Sequence, residues 1–86
     1  MATVERIDFN DLSGEKPELI CSFFWSEATG VRCSSPDMME DMERNGIATP
    51  PGGVKVYPRD GRAFFEALKW RCSSFLEVTA PRMVVQ

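Results

Sequence analysis

The apolar positions of this chain fall into short runs whose period changes along the sequence. Residues 4–9 alternate, with Val4, Arg6 and Asp8 set against Glu5, Ile7 and Phe9, the spacing of a half-buried strand. Residues 10–18 collect Asn, Asp, Ser, Gly and Pro and read as a turn. The run from Leu19 to Trp25 has two readings. As a strand it puts Leu19, Cys21, Phe23 and Trp25 on one apolar face and Ile20, Ser22, Phe24 and Ser26 on the other. As a helix opening at Pro17 it makes a stripe of Leu19, Ile20, Phe23 and Phe24. Its aromatic content favours the strand. Residues 26–30 then form a hairpin loop ending near Gly30, and 31–33 a short return strand.

Residues 35–47 carry the clearest local signal. Ser35 suits an N-cap, Pro36 the first helical position, and Asp37 the positive end of the helix dipole. Gly46 suits the residue past the helix end, with Ile47 folding back on Met42. A helix of about ten residues is marginal alone, so this one must dock. Residues 48–53 read as a Pro/Gly connector and 54–57 as a strand ended by Pro58. Asp60 is placed to cap a helix running to about Trp70 or Arg71. Ala63, Phe64, Phe65, Ala67, Leu68, Trp70 and Cys72 cover more than half of its circumference, leaving Arg62, Glu66 and Lys69 as a polar strip. Such a helix is largely covered, and Arg71 either follows its end or snorkels. Residues 75–79 are the last clear strand, with 82–86 extending it or fraying.

The order is β-β-β-α-β-α-β. It predicts a single α+β domain: a small mixed sheet of four to five short strands with two helices on one face. The helix between strands 54–57 and 75–79 allows a right-handed parallel crossover. A length of 86 residues suits one domain with a thin stability margin. Phe9, Phe23, Phe24, Trp25, Tyr57, Phe64, Phe65 and Trp70 supply enough aromatic mass to seed a core.

Charge divides the chain. Residues 1–45 hold ten acidic and four basic side chains, a net of −6; residues 46–86 hold three and six, a net of +3. No apolar leader opens the chain, and no run approaches the length of a membrane-crossing helix. The cysteines, Cys21, Cys33 and Cys72, are odd in number and lack a C-x-x-C spacing. These features read as a soluble cytoplasmic protein with reduced thiols, although Cys21 and Cys33 are close enough to pair if their strands are adjacent. Cys72, near a helix C-terminus, would meet the negative dipole end and be deactivated.

Candidate chemistry is sparse. With no histidine, the usual general base near neutral pH and every Ser-His or Cys-His arrangement are absent. Neither zinc-ligand spacing nor a phosphate-binding glycine motif occurs, so no catalytic residue, metal or cofactor is assigned. A small enzyme built on a carboxylate or thiol is the least supported reading. The first reading is a non-catalytic protein-interaction module, self-associating or inhibitor-like. It uses the Met38, Met39 and Met42 face of the acidic helix and the aromatics Phe24 and Trp25. The plainer account of both groups is core packing. The alternative is a nucleic-acid binder using Lys55, Tyr57, Arg59, Arg62 and Lys69 at the strand-to-helix corner. Against it stand the net charge of −3 and the carboxylate of Asp60.

Overall fold

A computed structural model describes residues 3–71 and 73–86. Cys72 therefore lies outside the described residues. The elements are β1 (Thr3–Asp11), β2 (Glu18–Ser26), β3 (Gly30–Cys33), α1 (Pro36–Asn45), β4 (Ile47–Thr49), β5 (Val54–Val56), a 3-10 turn (Pro58–Asp60), α2 (Arg62–Ala67), a second 3-10 turn (Leu68–Trp70), β6 (Leu76–Val78) and β7 (Arg82–Val85). The domain is α+β, with two α-helices and a main sheet of five strands among the described residues.

β1 is the centre of that sheet. It pairs with β2 along one edge; on the other it pairs with β6 through Phe9–Asp11 and with β7 through Thr3–Arg6. β3 lies outside β2. The register of β7 is offset by one residue from that of β6, so the two act as one strand interrupted at residues 79–81. Pro81 has no N–H for a ladder, which suits it to this break. Thr79 bridges the gap: its N–H donates to the Asp8 carbonyl at 3.0 Å, and its Oγ1 accepts the Asp8 N–H at 2.9 Å.

Every strand pair among the described residues is antiparallel. The expected mixed sheet with a parallel crossover is therefore not formed. The expected connector at 48–53 is the tip of a separate two-stranded hairpin, in which Ile47 pairs with Val56 and Thr49 with Val54. That hairpin uses up β5 locally, and β6 goes to β1 instead.

The core lies between one sheet face and the helices. Ile7, Phe9, Cys21 and Phe23 project from the sheet onto Met42 of α1, Ile47 of β4, and Phe64, Phe65, Ala67 and Leu68 of the α2 region. Phe9, Phe23 and Phe64 form a tilted aromatic chain with centroids 5.1 and 6.1 Å apart. Burying each such ring contributes about 1.5–3 kcal/mol.

α1 begins as its sequence dictates and ends at the expected glycine, although Gly46, at φ +65° and ψ −170°, is not in the left-handed helical conformation of the expected cap. The Ser35 side chain accepts the Met38 N–H at 3.2 Å, and the Gly46 N–H donates to the Met42 carbonyl at 2.8 Å. Gly46 has φ +65°, and a Cβ there would lie 2.9 Å from the Val56 carbonyl oxygen, so both backbone conformation and space require glycine. α2 is shorter than its apolar pattern suggests. Asp60 does not cap it; the carboxylate turns back and accepts the Tyr57 N–H at 2.7 Å, closing the 3-10 turn.

Candidate functional site

The five residues expected to form one binding surface are dispersed. Met42 is fully buried in the core. Met38 is partly buried against that core, and Met39 is half-buried. Trp25 also packs on the core, at the far end of the sheet, where Gly61 approaches its ring. Phe24 points to the opposite sheet face, with the Arg6 guanidinium 5.6 Å from its ring centroid. Two causes act here: α1 turns its methionines inward to dock, and successive strand residues face opposite ways.

The basic group at 55–71 is engaged locally. The Lys55 Nζ donates to the Asn45 carbonyl at 2.9 Å, at the C-terminal end of α1. Arg62 bonds Glu5 through Nη1 at 2.6 Å and Glu66 through Nε at 3.0 Å. Its pKa is raised, first by the Glu5 bond and then, against some burial, by Glu66. Arg59 lies 4.6 Å over Tyr57, and Lys69 lies 5.1 Å over Trp70. The strand-to-helix corner is a closed turn.

The structure instead gathers apolar surface where β1, β2 and β6 meet α1. A cleft of about 320 Å³ is lined by Phe9, Ile20, Met38, Arg71, Phe75 and Leu76, among others. It shares Arg71, Ser73 and Leu76 with a second cleft of about 430 Å³ that reaches Ile47, Ala48 and Trp70. Together they make one groove. Phe75 is 62% exposed, Trp70 48% and Ile20 45%. Leu12, tied to Phe75 by a 2.8 Å backbone bond, is also exposed. Arg71 meets Asp41 at 3.7 Å within the groove region, beyond the helix end rather than in its apolar arc.

A β-bulge shapes this region. Phe9 pairs with Cys21, but Asn10 pairs with Leu19, so Ile20 is an extra residue in β2. Cross-strand partners share a face. The bulge therefore moves Leu19 away from Cys21 and Phe23 onto the face of Asn10, where it is 57% exposed. Strict alternation places Leu19 on the face of Cys21 and Phe23, and no residue in 18–21 announces the bulge.

Cys21 and Cys33 are both free and in contact across β2 and β3. The Cys33 thiol is lowered to about 7, by the hydrogen bond from Cys21, against burial, and by the N–H groups of Ser35 and Ser34. The same contact, with burial, pushes Cys21 up. Among the described residues, no three Cys, Asp or Glu side chains gather to hold a metal, and no helix is long and apolar enough to cross a membrane. Comparison with protein-family models, with curated proteins and with solved structures gives no match.

Proposed function

We propose that this domain is a non-catalytic protein-interaction module that receives an apolar segment of another protein in the groove between α1, β2 and β6. The observation that supports it is the concentration of large exposed apolar side chains, Ile20, Trp70 and Phe75, around contiguous clefts. Contiguous apolar surface of this kind marks an interaction site more often than scattered exposed residues do. Met38 lines the groove and supplies an unbranched, adaptable wall. The reading keeps the interaction role expected from the sequence and moves its surface: of the five residues first considered, Met38 alone contributes. The free thiols of Cys21 and Cys33 suit work in a reducing compartment such as the cytoplasm.

The test compares capture of partners by the wild type and by Ile20→Glu with Phe75→Glu. Both positions are exposed, so the double variant should melt like the wild type. The expected result is a protein retained by the wild type and lost from the variant. Equal retention by both would overturn the groove as the site. A doubled mass in sedimentation velocity that the variant abolishes would identify the partner as a second copy.

A further inference from the structure

The sheet face turned away from the helices carries a second arrangement, independent of the groove. Arg82 pairs with Arg6, Arg6 with Phe24, and Phe24 with Arg32. Direct cross-strand partners point to the same side, so these four residues form one row across β7, β1, β2 and β3. Three strand spacings make that row about 14 Å long. Arg32 and Arg82 are exposed, and Phe24 is half-buried.

The next row holds Asp8 and Ser22, and the Asp8 carboxylate organises the arginines from below. Its Oδ1 accepts from Arg6 Nε at 2.6 Å and from Ser22 Oγ at 2.7 Å, while its Oδ2 meets Arg82 Nη2 at 2.9 Å. Each of these two guanidiniums thus commits one nitrogen to Asp8 and forms no other side-chain hydrogen bond among the described residues, and the Arg6 guanidinium also lies 5.6 Å from the Phe24 ring centroid. Arg32 forms no ion pair or side-chain hydrogen bond among them. Asp8 is only 7% exposed, so it is an anchor beneath the row rather than a competing surface charge. The other carboxylate on this face, Glu77, lies opposite Asn10, further along β1, and accepts its Nδ2 at 3.1 Å. The acidic helix α1 packs on the other side of the sheet. Arg6, Arg32 and Arg82 against Asp8 and Glu77 leave these strand positions at a net of +1 in a chain of net charge −3.

We propose that this face binds single-stranded nucleic acid, with a base stacked on Phe24 and backbone phosphates met by Arg6, Arg32 and Arg82. A lone phosphate would need one guanidinium fork, whereas a row of this length matches an extended polyanion. An aromatic ring set between cations suits a chain that carries bases between its phosphates. A polyanion without rings would leave Phe24 unused. Arg6 and Arg82 are already oriented by Asp8, which lowers the ordering cost of binding.

The experiment is fluorescence anisotropy with a short fluorescein-labelled oligouridylate, with inorganic polyphosphate as the comparison ligand. The expected result is binding at low salt, with a log–log salt slope between about −0.7 and −2, because single strands lose roughly 0.7 per neutralised phosphate and, of the three arginines, Arg6 and Arg82 already share the Asp8 carboxylate while Arg32 is unpaired among the described residues. Arg32→Gln should flatten that slope by about 0.7. Phe24→Leu, which keeps an apolar side chain there, should weaken the oligonucleotide roughly tenfold and leave polyphosphate unchanged. Thermal melting of each variant identifies any loss caused by unfolding; Arg32→Gln, at an exposed and unpaired position, supplies the test if Phe24→Leu melts early. No anisotropy change at low salt would overturn the proposal. So would oligonucleotide binding whose salt slope is untouched by Arg32→Gln, or polyphosphate binding as tight as that of the oligonucleotide.

Discussion

The two faces of the main sheet exclude water by different means. On the inner face, Ile7, Phe9 and Phe23 are covered by α1 and the α2 region, and the contact is apolar throughout. On the outer face no helix is needed to shelter Asp8 and Ser22. Long neighbours, Arg6 and Arg82 among them, lie over these short polar side chains and bond them. The first face owes its stability to non-directional burial and tolerates some rearrangement. The second depends on a few directed bonds to one carboxylate and fails if that carboxylate is removed or protonated. Burial alone therefore does not identify the apolar core: Asp8 is nearly as inaccessible as Ile47, yet its side-chain bonds are polar and belong to the open face.

Substitutions on the two faces should differ in effect, with the largest on the inner face. The largest change should come from Phe23→Ala, at the junction of the aromatic chain. It should cost about 3–5 kcal/mol. That is a large share of the roughly 4–13 kcal/mol expected for a chain this size. Urea denaturation should show a midpoint far below the wild type's; a loss under about 1 kcal/mol would mean that the inner face is not the main core.

Asp8→Ala should cost less, about 1–3 kcal/mol, because it leaves Arg6 and Arg82 without their shared partner. Its pH dependence identifies the cause. Burial raises the Asp8 pKa, but the bonds from Ser22, Arg6 and Arg82 outweigh it and bring the carboxyl below the ordinary 3.8. A depressed folded value means that this stabilisation is fully present above the unfolded pKa and is lost as pH falls through the folded one. The wild-type advantage should thus be constant near neutrality and shrink below about pH 4. An advantage that persists unchanged in acid would show that shape, not charge, holds the outer face. The smallest effect belongs to Arg32→Gln, which should alter stability by no more than about 0.5 kcal/mol. A larger loss would make Arg32 part of the scaffold rather than an available cation.

What was legible in the sequence follows the range of the interactions involved. α1 was readable because its start and stop are local: Ser35 and Pro36 at one end, Gly46 at the other. The β2 run fits either a strand or a helical period, and only its aromatic content favours the strand; residues 82–86 suit a strand or a frayed end equally. The β4–β5 hairpin was missed because Pro50–Gly53 looks the same in a linker as in a turn between two three-residue strands. The parallel crossover failed because a helix between two strands does not fix which strand the second one joins. Of the arginine row, only the Arg6–Asp8 spacing on one strand face was visible. Joining Arg6 to Phe24, Arg32 and Arg82 needs the register of four strands, which no single segment encodes. Nor does the sequence show how the basic group at 55–71 is arranged: Lys55 and Arg62 bond Asn45, Glu5 and Glu66, whereas Arg59 and Lys69 lie over Tyr57 and Trp70.

The position of β1 also bears on how the chain reaches this state. Its first partner, β2, is a short loop away, and β3 adds to β2 by a tight turn, so a three-strand meander can assemble early from local contacts. Its other edge waits for β6 and β7, which come from the far end of the described chain. Until they arrive, the strand that later becomes the centre of the sheet has a row of unpaired N–H and C=O groups, a template for pairing with other nascent chains. Glu5 and Arg6 stand side by side on that waiting edge, one on each face. Charged side chains on an unpaired strand edge oppose its pairing with another chain, and Glu5 and Arg6 are so placed.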